Sequence, residues 1–327
     1  MRVRVLYHDN CFDGAASAAL FTAFYLSCIE AEAQFEYVGM THGPGDVFAD
    51  GAFLPHSESD VEHVCVDFRY SPDPRLSWWF DHHQSAFISP EDQRHFEQTQ
   101  NPRHFYDPTA QSCTKFVAER CAAVYGFDPT PHADLIRWAD LIDGARFESP
   151  QVAVELREPA LQLMTWVEAN RDETLKVRFI RDLYNRPLED IAQQAYVREG
   201  LQPIMELHHR ALQILRERAA CDGGVVTYDT SDASLPAANK FIPYYLFPEC
   251  HYVVGISAMP GRLKISVGSN PWHAGRRTAN IADICSRYGG GGHPMVGAVS
   301  LRPWQRQEAQ QIAAEIAREL RQAAERE

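Results

Sequence analysis

Three stretches early in the chain put histidines and aspartates directly after apolar runs. Arg2-Val3-Arg4-Val5-Leu6-Tyr7 leads into His8-Asp9-Asn10-Cys11-Phe12-Asp13-Gly14, Cys65-Val66 leads into Asp67, and Trp78-Trp79-Phe80 leads into Asp81-His82-His83. A fourth stretch, Trp138-Ala139-Asp140-Leu141-Ile142-Asp143, closes a helical pattern before Gly144. If the apolar runs are parallel strands, their carboxyl ends share one edge, which is where open α/β sheets bind ligands. His8, Asp13, Asp67 and His82 then converge. Carboxylates crowded on one edge repel each other unless cations neutralise them. Carboxylates alone suit Mg or Ca, whereas imidazole with carboxylate suits Mn, Fe, Co or Zn. One catalytic metal takes about three protein ligands. Five or six candidates therefore point to two metals that share a carboxylate, a pair able to activate water and clamp a phosphoryl group.

Taken singly, each piece has a plainer explanation. Asp13-Gly14 can be a turn and helix start, and Asp67 a simple cap after a strand. Asp81-His82-His83 is harder to dismiss, because three polar residues after Trp-Trp-Phe are badly placed for a core. A second signal lies at Gly289-Gly290-Gly291-Gly292-His293. Glycines there would expose backbone N–H groups and let an anion approach, with His293 adding a donor. The alternative is a helix C-cap and turn. A dinucleotide-binding glycine loop fits poorly, since that loop opens a helix and this one follows it.

The elements that must position these residues read as α/β. Strands are expected at Arg2–Tyr7, Phe35–Met40, Val61–Phe68 and Leu76–Phe80, and helices at Ala15–Ser27, Cys113–Tyr125 and His132–Ile142. This alternation implies a parallel sheet over residues 1–150. Residues 151–221 read as a helical connector, with Leu201, Ile204, His208, Leu212 and Leu215 forming one stripe and Pro187 and Pro203 limiting individual helices. Residues 222–327 read as a smaller α/β domain. Its strands are Val225–Tyr228, Tyr252–Ala258 and Leu263–Gly268, with a helix at Thr278–Tyr288 and a closing amphipathic helix.

Composition narrows the function. The chain has 327 residues, 31 Lys and Arg against 44 Asp and Glu, and a net charge of -13. A protein that tracks long nucleic acid usually carries a basic surface; this one, taken whole, does not. Gly255–Ser300 is the exception, with Arg262, Lys264, Arg276, Arg277 and Arg287 against one acid, Asp283. No run approaches the roughly 20 apolar residues that span a bilayer. The start shows no signal-peptide layout, so a cytoplasmic location is expected. The eight cysteines form no CxxC pair and are expected as reduced thiols.

Together these motifs resemble the DHH phosphoesterase superfamily, named for the triplet present here as Asp81-His82-His83. The likeness is to two-domain members with a DHH-associated C-terminal domain, including nanoRNase/pAp phosphatases, oligoribonuclease-like proteins and RecJ-type exonucleases. It implies an N-terminal parallel-sheet DHH domain, a helical connector and a substrate-binding C-terminal domain. It also implies metal binding by His8, Asp13, Asp67, His82 and Asp143, with Asp67 bridging and Asp140 as the alternative to Asp143. Asp81 would orient His82, and His83 would face the substrate phosphate. Gly289–His293 matches the family's GGGH motif. Two departures stand out. The first motif often reads HxDxDG, so Asp9, Asn10 or water would replace a missing acid. The strand before the glycine run carries Lys264 through Ser269 and Asn270 with no arginine, leaving Arg276, Arg277 or Lys264 to substitute.

The resulting expectation is a phosphoesterase using two divalent cations, Mn2+ foremost and Mg2+ or Co2+ next. It would cleave short oligonucleotides or small nucleotides, with no membrane partner and a homodimer left open. The alternatives are a degenerate nucleotide-binding sensor and a pyrophosphatase-like hydrolase. Phe247, Tyr252 and Trp272 offer rings that could stack a base, or belong to the core.

Overall fold

The computed structural model describes residues 1–41, 48, 52–54, 60–233, 235, 238–273 and 278–326. The chain divides into two compact units, Met1–Phe147 with Arg157–Leu201, and Glu148–Leu156 with Gln202–Glu327. The helices read as a connector are therefore shared between the units.

The first unit is built on a five-stranded sheet of β1 (Arg2–His8), β2 (Gln34–Met40), β3 (Val61–Val66), β4 (Leu76–Asp81) and β5 (His104–Tyr106). Every pairing is parallel and the order is β2-β1-β3-β4-β5. The chain leaves β1 toward one side for β2 and returns on the other for β3, so the ends of β1 and β3 form a switch point. Register aligns those ends, with Tyr7 opposite Val66 and Val66 opposite Phe80.

Its helices are α1 (Phe12–Cys28), α2 (Pro90–Thr99), α3 (Cys113–Tyr125), α4 (Ala133–Asp143), α5 (Pro150–Glu155, belonging to the second unit), α6 (Pro159–Ala169), α7 (Glu173–Asn185) and α8 (Leu188–Ala192). α1 is buried nearly all round, as its run of Ala, Leu and Phe requires. Trp78 and Trp79 of β4 point to opposite faces. Trp78 meets Phe21 and Phe24 of α1, and Trp79 meets Tyr70, Phe96 and Tyr106. The sheet is therefore covered on both sides, the usual condition of a parallel sheet.

α9 (Ala195–Arg218) runs across the division at Leu201 and Gln202 and contains Pro203 in its interior. The expectation that Pro203 ends a helix is thus corrected. Packing of one apolar face outweighs one lost backbone hydrogen bond. Pro187 does stand between α7 and α8.

The second unit carries a six-stranded sheet of β6 (Ala220–Asp222), β7 (Val225–Asp229), β8 (Tyr252–Met259), β9 (Arg262–Ser269), β10 (Gly291–His293) and β11 (Val296–Leu301), ordered β10-β11-β9-β8-β7-β6. Only β7 and β8 pair in parallel. α10 (Ile242–Leu246), α11 (Ile281–Ser286) and α12 (Arg306–Ala324) complete it. One face of the sheet packs Val254, Ile265 and Val299 against Ile281, Ile316 and Leu320. Among the described residues, no helix is long and apolar enough to cross a membrane.

Candidate metal centre

The ends of β1, β3 and β4 and the starts of α1 and α3 build one pocket of polar side chains in the first unit. Gly14 makes this possible. A Cβ there would lie 2.1 Å from the His8 carbonyl oxygen, so only glycine lets the start of α1 close against the end of β1. Asp13, in the first turn of α1, reaches the start of α3. Its Oδ2 accepts from the Cys113 amide at 2.7 Å, and its Oδ1 from the Thr114 amide at 3.0 Å and the Thr114 hydroxyl at 2.6 Å. The helix N-terminus holds that carboxylate in place.

Asp67 follows β3 with φ of 56°, in the left-handed region that Asp and Asn tolerate best among non-glycine residues. Its amide donates to the Phe80 carbonyl at 2.9 Å, so the turn is anchored to β4. The carboxylate is buried, and its two oxygens face different partners. Oδ2 lies 3.3 Å from His8 Nδ1, while Oδ1 lies 3.4 Å from His82 Nε2 and 3.8 Å from His83 Nδ1. His82 Nδ1 is 3.0 Å from the Ala110 carbonyl, which fixes its proton on that nitrogen and turns Nε2 inward. Nε2 lies 3.8 Å from Asp13 Oδ2 and 3.7 Å from Asp143 Oδ2.

The donors fall into three overlapping groups: His8, Cys11 and Asp67; Asp67, His82 and His83; and Asp13, His82 and Asp143. Within each, the ligand atoms lie within 4.8 Å of one another. Asp67 Oδ1 and His82 Nε2 are buried and make no hydrogen bond. A buried carboxylate oxygen and imidazole nitrogen without a hydrogen bond are costly, and a cation would satisfy both. The imidazole and carboxylate set fits a divalent transition metal.

The electrostatics match. Burial, then the charges of Asp67 and Asp143, push the Asp13 carboxyl well above its usual range. Burial and Asp67 raise Asp143 too. Burial would also raise Asp67, but contacts from His8 and His82 and the charge of His83 outweigh it and bring it to about 2. Burial would lower His82, yet Asp67 and Asp13 lift it to about 10. Without cations, protons are left to balance this charge.

Other residues of the same segments lie elsewhere. Asp9 accepts from Lys176 Nζ at 2.7 Å and from Asn10 Nδ2 at 3.0 Å, and Asn10 Oδ1 accepts from Arg171. Asp140 accepts from Arg146 and lies 3.7 Å from Lys115 Nζ. Among the described residues, no group of His, Cys, Asp and Glu donors contains Asp9 or Asp140. Asp81 also differs from its implied task. Its Oδ1 lies 2.7 Å from His83 Nδ1 and accepts from the His82 amide at 2.8 Å, so it grips the His83 ring, while the His82 ring is oriented by Ala110. Sequence reasoning did not single out Cys11, whose sulfur lies within reach of the His8 and Asp67 donor atoms. The available signal was its place between His8 and Asp13, where an extra acid was sought.

No protein-family model matches the sequence, and no curated protein matches it significantly. Solved structures do. A pGpG-specific phosphodiesterase, PggH from Vibrio cholerae, superposes with a TM-score of 0.67 at 18% identity, over 96% of this chain and 99% of that one. A DHH domain described as a member of the s1p family of ribosomal proteins superposes with a TM-score of 0.56 at 15% identity, over 96% and 86%. The chain has the fold of the DHH-domain proteins.

In this DHH-fold chain the glycine run of the second unit is not the open loop expected. The helix before it is α11, shorter than the expected Thr278–Tyr288. The Gly289 and Gly290 amides donate to Ser286 and Cys285 carbonyls, closing the helix end. Gly291–His293 is then strand β10, paired with β11. A Cβ at Gly290 would lie 2.2 Å from the Ala298 oxygen, and one at Gly292 2.3 Å from the Val296 oxygen, whereas Gly291 meets nothing within 4 Å. Close strand packing therefore demands two of these glycines. His293 is exposed. Ser269 Oγ donates to the Met295 carbonyl at 3.0 Å, and Asn270 Nδ2 to the Pro248 and Cys250 carbonyls at 2.9 and 2.8 Å. Both side chains thus brace the fold. Arg276 and Arg277 lie outside the described residues. Tyr252 is fully buried in the core, and Trp272 packs on Phe241 and Tyr244, with Phe247 in the same cluster, so these rings belong to the packing.

Proposed function

We propose that this chain is a divalent-metal-dependent phosphoesterase that cleaves phosphate ester bonds of short oligonucleotides or small nucleotides with two cations. The observation that carries the reading is Asp67, whose two oxygens each face a different imidazole at the sheet's switch point while one of them makes no hydrogen bond in the interior. His8 and Asp67 would hold one cation, and Asp13, His82 and Asp143, together with Asp67, would hold the other. Two divalent cations supply charge neutralisation at phosphate and acidification of an attacking water. Mn2+ suits the mixed imidazole and carboxylate donors best, with Co2+ or Mg2+ next.

The chain's own residues do the rest. The Ala110 carbonyl keeps the His82 Nε2 lone pair available. Asp81 accepts from His83 Nδ1–H and favours the imidazolium, whose Nε2–H can then donate to a phosphate oxygen as charge develops there. Gly291, Gly292, His293, Arg276 and Arg277 are proposed contacts for a substrate phosphate. A small substrate suits the overall acidity, and the neighbouring fold of a pGpG-specific phosphodiesterase supports dinucleotide size. Eight unpaired cysteines suit a reducing, cytoplasmic setting.

A panel of pGpG, RNA and DNA dinucleotides, pAp, longer single strands and pyrophosphate, each with Mn2+ or with chelator, tests the reading. Mononucleotides should appear from dinucleotides only with metal. Binding without cleavage under Mn2+, Mg2+ and Co2+ would overturn it in favour of a sensor, and preferential cleavage of pyrophosphate would overturn the substrate class.

A further inference from the structure

Cys11 sits at the turn between β1 and α1, three residues after His8 and two before Asp13. Its sulfur, the His8 imidazole and an Asp67 oxygen lie within 4.8 Å of one another, the reach of ligands around one ion. The other half of the site, Asp13, His82 and Asp143, offers only nitrogen and oxygen. The two halves therefore differ in softness although they share a buried carboxylate. Asp67 Oδ1 and His82 Nε2, buried and without a hydrogen bond, mark the cluster as built for a ligand independently of the thiol.

We propose that Cys11 supplies a thiolate ligand to the His8–Asp67 half of the metal site, so that this half selects a thiophilic divalent cation such as Co2+, Zn2+ or Fe2+ over Mg2+, while the Asp13–His82–Asp143 half accepts harder ions. This rests on the two-cation reading above. Sulfur favours the softer late first-row ions, and a thiol must lose its proton to the solvent as the cation binds. The chain would then discriminate between metals at one position and not at the other.

The test is Co2+ titration of the metal-stripped full chain, followed by absorption. Wild type should bind two ions and show a sulfur-to-cobalt charge-transfer band in the near ultraviolet beside the visible ligand-field bands. Cys11→Ser should lose the near-ultraviolet band, keep the visible bands, and weaken one of the two sites by at least about tenfold. Cys11→Asp should also lose the band, but restore two-ion binding and shift that site's preference toward Mn2+ and Mg2+. Cys285→Ser, in the second unit, should change nothing. A band that survives in Cys11→Ser overturns the thiolate while leaving two-cation binding intact. Failure of wild type to bind cobalt overturns the metal site itself, so the two failures are distinguishable. Circular dichroism of each variant separates loss of a ligand from loss of fold.

Discussion

The sheet edge of the first unit and the glycine run of the second both attract attention as sequence, yet they use their polar groups in opposite ways. At the sheet edge, backbone and helix ends hold Asp13 and His82 in place, and the atoms left over, Asp67 Oδ1 and His82 Nε2, face each other at 3.4 Å without a hydrogen bond. At the glycine run, the Gly289 and Gly290 amides, Ser269 and Asn270 are engaged in closing a helix and bracing strands. A functional site is marked less by polar residues as such than by buried polar atoms that the fold positions but does not satisfy.

The contrast can be broken most forcefully at Asp67. Asp67→Asn should keep the fold and lower turnover by about a thousandfold or more, measured with saturating Mn2+. Near-normal turnover would show that the unpaired oxygen has no role in the chemistry.

The second unit gives a paired test. Gly292→Ala places a Cβ against the Val296 oxygen at a φ of 155° and should cost about 3 kcal/mol in denaturant unfolding. Gly291→Ala meets no neighbour and should leave stability within about 0.5 kcal/mol. If Gly291→Ala nevertheless raises KM, the run binds substrate as well as packing. If Gly292→Ala loses stability and KM stays unchanged in both variants, the glycines serve the fold alone.

The smallest effect is expected in pH dependence. His82 is raised from 6.5 to about 10 in the folded chain, so its stabilising contribution is complete below 6.5 and is lost as pH rises toward 10. The raised Asp13 and Asp143 act in the same direction, from 3.8 upward. Asp67, lowered from 3.8 to about 2, loses its contribution only as pH falls through that range. The melting temperature of chelated protein should therefore drop by a few degrees as pH rises above 6.5, and Mn2+ should flatten the curve. A chelated protein with no such slope would mean that protons do not substitute for cations here.

Much was legible before the structure. Apolar runs ending in His8, Asp67 and Asp81 read as parallel strands because burial on both faces demands near-continuous hydrophobic stretches. Their polar endings stood out because nothing in a core would welcome them. The α/β class and most element positions followed from the same periodicities. What stayed hidden depended on partners far along the chain. Asp9 and Asp13 are nearly adjacent and chemically identical, yet one pairs with Lys176 and the other with the start of α3. Asp140 and Asp143 lie one helical turn apart, and only Asp143 joins His82.

Periodicity and residue type decided, from the chain alone, that acids and imidazoles would gather at one edge of a parallel sheet. Only the folded molecule decided which of them remain unpaired, that a cysteine joins them, and that half the glycine run is a strand. The reason is that hydrogen bonding and steric fit are settled between residues brought together across 100 positions or more, and local sequence carries no record of those encounters.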